Sequence, residues 1–329
     1  MLHTRLNIAL EDGLFTLPDS GQILVIGATC DHNLSALPKD RVVVYSRFAP
    51  DVTKLCADGY DVIHDLPDTG FAAALICAPR AKALAHDWVF SAQKAVGDGL
   101  VILDGQKTDG MDSLLKSLKK KAQIGGILSK AHGKMVWFTK LDAPDWAASD
   151  TELPGGFITR PGVFSAEKID KGSEALVAVM PDEINGRVAD LGAGWGYLSR
   201  HILDRGGVTA LDLIEADRVA LDCARVNVAD PRARFFWEDV TRFKPDTPYD
   251  VVISNPPFHT SRAGDPDIGR SFIQAAAGLL KPSGRFVMVA NRHLPYEDTL
   301  AKHFRVVEDL GGTPGFKILA GLKPHRTGR

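Results

Sequence analysis

Short apolar runs punctuate the chain, and between them apolar residues return every three or four positions. The first half carries 23-ILVIG-27, 41-RVVVY-45, 73-AALICA-78, 100-LVILD-104 and 134-KMVWF-138. The second carries 187-RVADLG-192, 208-VTALDLIE-215, 234-RFFWED-239, 249-YDVVIS-254, 285-RFVMVAN-291 and 317-KILAG-321. Short apolar runs suit strands covered on both faces, and stretches such as 216–228 and 270–281 have the helical period. Strands alternating with helices predict the α/β class, here as two tandem doubly wound, Rossmann-like domains. The segment 142-DAPDWAASDTELPGG-156 reads as a linker, placing domains at 1–145 and 146–329.

The two halves also resemble each other. The run 74–84 set beside 251–261 puts Ala78 on Asn255, Pro79 on Pro256 and Arg80 on Pro257. The run 97–115 beside 282–300 puts Gly99 on Gly284, and 132–138 beside 314–320 puts Gly133 on Gly315. The run 23-ILVIGA-28 echoes 188-VADLGA-193. Four matches in one order point to a duplicated domain whose polar chemistry survives in the second copy.

Composition narrows the class. The 329 residues are 45% hydrophobic and 24% charged, as in a water-soluble globular protein. The opening MLHTRLNIALEDG reads as no signal peptide, and no apolar run reaches the roughly 20 residues needed to span a bilayer. Cys30, Cys56, Cys77 and Cys223 follow no metal-binding spacing and read as reduced, mostly buried thiols of a cytoplasmic protein that needs no metal. A net charge of -2 argues against a protein that coats nucleic acid indiscriminately. Six lysines and no acid in 116–134 leave room for a local basic surface, or for a solvated helix end and loop.

The stretch 188-VADLGAGWGYLSRHIL-203 predicts a strand, a turn bearing Gly192, Gly194 and Gly196, and a helix. Glycines admit positive φ and close approach of a ligand to backbone. Dinucleotide sites usually space their glycines G-x-G-x-x-G around a pyrophosphate. The G-x-G-x-G here, with Asp190 before it, suits a cationic or amine-bearing ligand such as S-adenosylmethionine. Glu215 ends the next strand, where an acid accepts from ribose hydroxyls. Asp239, followed by Val240, ends the third and suits an adenine amino group. Each acid also fits a helix cap or turn.

The fourth strand ends in Asn255-Pro256-Pro257-Phe258. The asparagine oxygen and the proline carbonyls accept hydrogen bonds, while the prolines remove N–H donors. Such a loop suits an amino group about to attack a methyl, with Phe258 stacked on a planar base. His259 beside it is either a base contact or a solvated loop residue. A proline-rich turn with a packed phenylalanine is the bland alternative.

Three stretches, 161-PGVFSAEKIDKGSEALV-177, 252-VISNPPFH-259 and 288-MVANRHLPYEDTL-300 followed by the hairpin at Gly315, Phe316 and Lys317, carry a family resemblance. The chain resembles bacterial ribosomal RNA guanine-N2 methyltransferases, the small-subunit enzymes most closely, over about its whole length. The resemblance implies a degenerate first methyltransferase-like domain for RNA recognition or support, and a catalytic second one. It implies cofactor contacts from Gly192, Gly194, Glu215 and Asp239, and a guanine amine held by Asn255, Pro256 and Phe258. It further implies that Phe164, Asp170, Gly172 and Ser173 pack over the methionine end of the cofactor. By pattern alone, 167–180 reads only as an amphipathic helix interrupted by glycine. The implied partner is ribosomal RNA in an assembled or assembling small subunit. Methylation of large-subunit RNA, methylation of a protein glutamine, and a non-catalytic ribosome-assembly factor remain alternatives at this point.

Overall fold

The computed structural model describes residues 2–257 and 266–325. The chain divides into two compact units, 1–150 and 151–329. The division falls after the expected linker begins, because Trp146 is buried in the first unit's core and its ring stacks on His86.

The first unit holds strands β1 (Ile23–Ile26), β2 (Val42–Tyr45), β3 (Asp61–Ile63), β4 (Ala73–Cys77), β5 (Leu100–Gln106), β6 (Gln123–Lys130) and β7 (Gly133–Thr139). Helices α1 (Leu2–Glu11), α2 (Ala49–Ala57), α3 (Lys82–Val96) and α4 (Met111–Leu118) flank them. The second unit opens with a hairpin of β8 (Thr151–Leu153) and β9 (Phe157–Thr159). Its sheet holds β10 (Glu183–Leu191), β11 (Gly206–Glu215), β12 (Ala233–Trp237), β13 (Tyr249–Ser254), β14 (Leu280–Asn291), β15 (Phe304–Gly312) and β16 (Phe316–Pro324). Its helices are α5 (Lys171–Ala178), α6 (Tyr197–Leu203), α7 (Arg218–Asn227), α8 (Pro266–Leu279) and α9 (Glu297–His303).

The sheets run β3-β2-β1-β4-β5-β7-β6 and β12-β11-β10-β13-β14-β16-β15, the same order twice. In each, the penultimate strand is antiparallel to both neighbours and the five strands before it are parallel. Alternate residues feed opposite cores. Leu24 and Ile26 face the core built with α3 and α4, whereas Ile23 and Val25 face that of α1 and α2. In the second unit Ala189 and Leu191 pack with α8, and Val188 with α5, α6 and α7. Burial on both faces explains why these runs are apolar throughout.

The ladders correct the internal alignment. Ala73 lies opposite Ile23, and Val251 lies opposite Val188, the residue that matches Ile23. Cys77 therefore takes the place of Asn255, Ala78 that of Pro256 and Pro79 that of Pro257. The one-residue slip in the sequence comparison would have turned each side chain to the wrong face. The last hairpin shifts likewise. Lys134 opposes Gly105 and Lys317 opposes Ala290, so Lys134 matches Lys317 rather than Gly133 matching Gly315. The corrected match is chemically sensible: Lys134 pairs with Asp112 of α4, and Lys317 with Glu297 of α9.

Five strands were not legible in the pattern: β3, β6, β8, β9 and β15. Strands β3, β6 and β15 are edge strands with a single buried residue among them, Phe304, and β8 and β9 are only three residues each. Of the six lysines in 116–134, Lys116, Lys119, Lys120 and Lys121 lie at the end of α4 and in the turn after it, whereas Lys130 and Lys134 lie on β6 and β7. Two of the four cysteines, Cys30 and Cys56, are exposed rather than buried, and none of the four forms a disulfide. No described helix is long and apolar enough to cross a membrane.

Candidate active site

The glycine turn joins β10 to α6. Gly192, Gly194 and Gly196 all have positive φ, at 71°, 56° and 91°. Gly196 must lack a side chain, since a Cβ there would sit 2.8 Å from Val228. Gly194 faces open space, as a ligand cradle requires. Its N–H donates to Glu215 Oε2 at 2.7 Å, and Asp217 N–H donates to Oε1 at 2.8 Å. Each carboxylate oxygen keeps a lone pair for another donor. Desolvation holds the Glu215 carboxyl at about 7, well above its ordinary value.

Asp190 lies beneath the turn. Its side chain is fully buried, Oδ2 accepts from Ser199 Oγ of α6 at 2.6 Å, and Oδ1 has no partner among the described residues. Burial pushes its pKa up to about 7 as well. Asp190 is not among the residues that line the cavity between the turn and Asn255. Asp239 is half-buried, and its Oδ1 accepts from both the N–H and the hydroxyl of Thr241 at 2.8 Å, as the turn alternative required. Val240 is buried in the core shared with α8.

The segment before β10 is where pattern reading was weakest. Helix α5 starts at Lys171, not Glu167, with Asp170 as its N-cap: Asp170 Oδ2 accepts from Ser173 N–H at 2.8 Å. Gly172 is forced by crowding, since a Cβ would meet Asp170 Oδ2 at 2.9 Å and the Phe316 ring at 3.1 Å. Asn255, just past β13, donates through Nδ2 to the same Asp170 Oδ2 at 2.9 Å and to Ser173 Oγ at 2.8 Å. Its Oδ1 is buried and has no partner among the described residues. Phe164, 59% exposed, joins Asp170, Ser173, Gly192, Gly194, Trp195 and Asn255 around one cavity. Pro256 is buried and Pro257 exposed. Phe258 and His259 lie outside the described residues.

Several supporting residues escaped the sequence reading. Trp195, inside the glycine turn, donates from Nε1 to the Phe164 carbonyl at 2.9 Å. Asn227 of α7 exchanges both amide bonds with Ile158 of β9 and donates to the Trp195 carbonyl at 2.7 Å. Thr159 Oγ1 donates to the Ala166 carbonyl at 2.6 Å. These bonds fasten the 151–166 segment against the turn. The tryptophan between two turn glycines was the one available signal.

The first unit lacks this constellation. By the same ladders, Thr29 stands at Gly194 and Ser46 at Glu215. The Thr29 N–H is taken by His32 Nδ1 at 3.0 Å and the Cys30 N–H by Asp51 Oδ1 at 3.0 Å. Trp88 crowds Gly27, whose Cβ would lie 2.2 Å from its ring.

Known proteins resemble this chain. The Methyltransferase small domain family matches residues 155–320. Ribosomal RNA small subunit methyltransferase C of Shewanella pealeana is 31% identical over 275 residues, covering 79% of this chain and 80% of that protein. The chain belongs to the ribosomal RNA small subunit methyltransferase C family. The Shewanella loihica member is 29% identical over 331 residues, covering 93% of this chain and 95% of its own. Among solved structures, the T. thermophilus 16S rRNA N2 G1207 methyltransferase in complex with AdoMet and guanosine superposes with a TM-score of 0.80 at 21% identity, covering 97% of this chain and 92% of that one. The two-domain methyltransferase fold is thus shared with that structure, and this chain is a methyltransferase of the family.

Proposed function

We propose that the protein transfers a methyl group from S-adenosylmethionine to the N2 amine of a guanine in small-subunit ribosomal RNA, acting in the cytoplasm where subunits are assembled. The observation that carries this reading is Asn255. Its NH₂ is committed to Asp170 and Ser173, and its buried Oδ1 is left bare beside the glycine turn. A buried acceptor without a donor is costly unless a ligand completes it.

The residues present fit the cofactor. Gly194 offers an open cradle, Glu215 spare acceptors for ribose hydroxyls, and Asp170, Gly172, Ser173 and Phe164 a wall at the methionine end. Asp239 keeps its Oδ2 for an adenine amino group, with Val240 packed behind it, while Asp190 holds the turn to α6 through Ser199. Bound there, S-adenosylmethionine supplies an electrophilic sulfonium methyl. Asn255 Oδ1 and the Pro256 carbonyl take the two N–H bonds of the guanine amine, so that its lone pair is aimed by the loop. Pro256 and Pro257 contribute no competing N–H. Positioning supplies most of the acceleration, because the methyl needs no further activation. The first unit serves RNA recognition or support.

Radiolabelled S-adenosylmethionine incubated separately with naked ribosomal RNA, isolated subunits and a release factor tests the proposal. N2-methylguanosine in small-subunit RNA is expected, and Asn255→Ala should reduce its formation to a slow residual rate while cofactor affinity stays within a few fold. Label confined to protein would overturn the substrate, and cofactor binding without transfer would overturn the activity.

A further inference from the structure

Asn255 can work as an acceptor only if its amide faces one way, and an asparagine amide has two nearly isosteric orientations. Two groups touch its NH₂. Ser173 Oγ, at 2.8 Å, does not discriminate, because a hydroxyl accepts from an NH₂ or donates to a C=O equally well. Asp170 Oδ2, at 2.9 Å, does discriminate: an ionised carboxylate only accepts. Turning the amide over would set Asn255 Oδ1 against a carboxylate oxygen and leave a buried NH₂ at the cavity.

We propose that Asp170 is a positioning residue for methyl transfer, which orients the Asn255 amide so that Oδ1 meets the substrate amine. The inference rests on the function proposed above. The arrangement does more than hold a rotamer. A carboxylate bonded to the amide NH₂ polarises the amide and makes its oxygen a stronger acceptor. The chain carboxylate–amide–amine therefore favours the positive charge that builds on N2 as the N–C bond forms and the sulfur–methyl bond breaks, its electron pair staying on sulfur and the surplus N2 proton then leaving to solvent.

The same Asp170 oxygen that receives Asn255 also caps α5 through Ser173 N–H. This shared atom couples the start of α5 to the loop after β13, two segments 85 residues apart in sequence. It also sets the difficulty of the test, since Asp170→Ala removes cap and orienter together. Asp170→Ser keeps a good cap but replaces the one-way acceptor with a hydroxyl, which does not choose between the amide's faces.

The test is single-turnover methyl transfer to small-subunit RNA at saturating cofactor, with cofactor affinity and thermal stability measured alongside. Asp170→Ser should retain the melting temperature and slow the transfer step by about 10–100-fold, the scale of losing one preorganised hydrogen-bond partner. Ser173→Ala should slow it less. Because Asp170 acts through Asn255, adding Asp170→Ser to Asn255→Ala should bring no further loss. In the free protein, the side-chain NH₂ resonances of Asn255 should lie downfield of their positions in Asp170→Ser, a readout independent of turnover. A weakened cofactor affinity with an unchanged saturated rate would overturn the inference, as would multiplicative losses in the double variant. Full activity in Asn255→Ala would instead overturn the reading of the site itself.

Discussion

At the residue scale, two desolvated carboxyls, one fully buried and one half-buried, set how the second unit responds to pH. Asp190 and Glu215 are both held near 7 by desolvation. A carboxyl whose folded pKa is raised favours the folded state most fully below its unfolded value and loses that contribution as pH rises through about 7. Chemical denaturation between pH 5 and 7 should show stability falling, with Asp190→Asn removing up to about 1.4 kcal/mol per pH unit from the slope. Ligand binding has the opposite sense at Glu215. Ribose hydroxyls donate to the ionised form, so S-adenosylmethionine should bind more tightly from pH 6 to 8, by up to about tenfold per unit below 7, with proton uptake by the buffer. Calorimetry in buffers of different ionisation enthalpy measures that proton, and Glu215→Gln should abolish its release. Both acids stood out in the sequence by lying at strand ends. Their burial did not, because it depends on what α6 and the turn place over them.

At the scale of elements, the 151–166 segment is the least legible part of the site and the one most dependent on a single anchor. Asn227 makes three hydrogen bonds from a buried position, two to Ile158 and one to Trp195. Asn227→Ala strands those backbone groups and should cost about 2–4 kcal/mol, read as a drop in denaturation midpoint. Faster proteolysis within 151–166 and weaker cofactor binding should accompany it. Nothing in the helix pattern of 216–228 distinguishes Asn227 from a surface polar residue, because its partners lie 32 and 69 residues away. The lysine stretch is a second case. Lys121 is tied to Asp145 at 2.7 Å and Lys134 to Asp112, whereas Lys119 and Lys120 are exposed at the end of α4. Changing Lys116, Lys119 and Lys120 to Glu should weaken RNA binding and flatten its salt dependence, with cofactor affinity unaltered. Unchanged RNA affinity in a filter-binding assay would return α4 to plain surface.

At the scale of the whole molecule, one strand order is used twice and only one copy keeps an open turn. In the first unit the equivalent backbone N–H groups are consumed by His32 and Asp51, and Ser46 replaces Glu215. Titration calorimetry should therefore find one S-adenosylmethionine per chain, and Asn255→Ala should leave that number at one. A stoichiometry of two would require the first turn to open against bonds it already makes. The matched pairs Lys134–Asp112 and Lys317–Glu297 mark the shared origin more firmly than the prolines do, because they join equivalent positions on a strand and the helix before it.

The α/β class, the duplication, the cofactor turn and the Asn255 loop are legible in the residues alone. Each of these is written in local signals: apolar period, glycine spacing, and prolines at a strand end. Tertiary structure alone decided the register between the halves, since apolar strands look alike when slid by one residue and only paired ladders and opposed cores tell the faces apart. It also decided which way the Asn255 amide faces. That depends on a carboxylate 85 residues earlier, brought to 2.9 Å by the packing of α5 beside the end of β13.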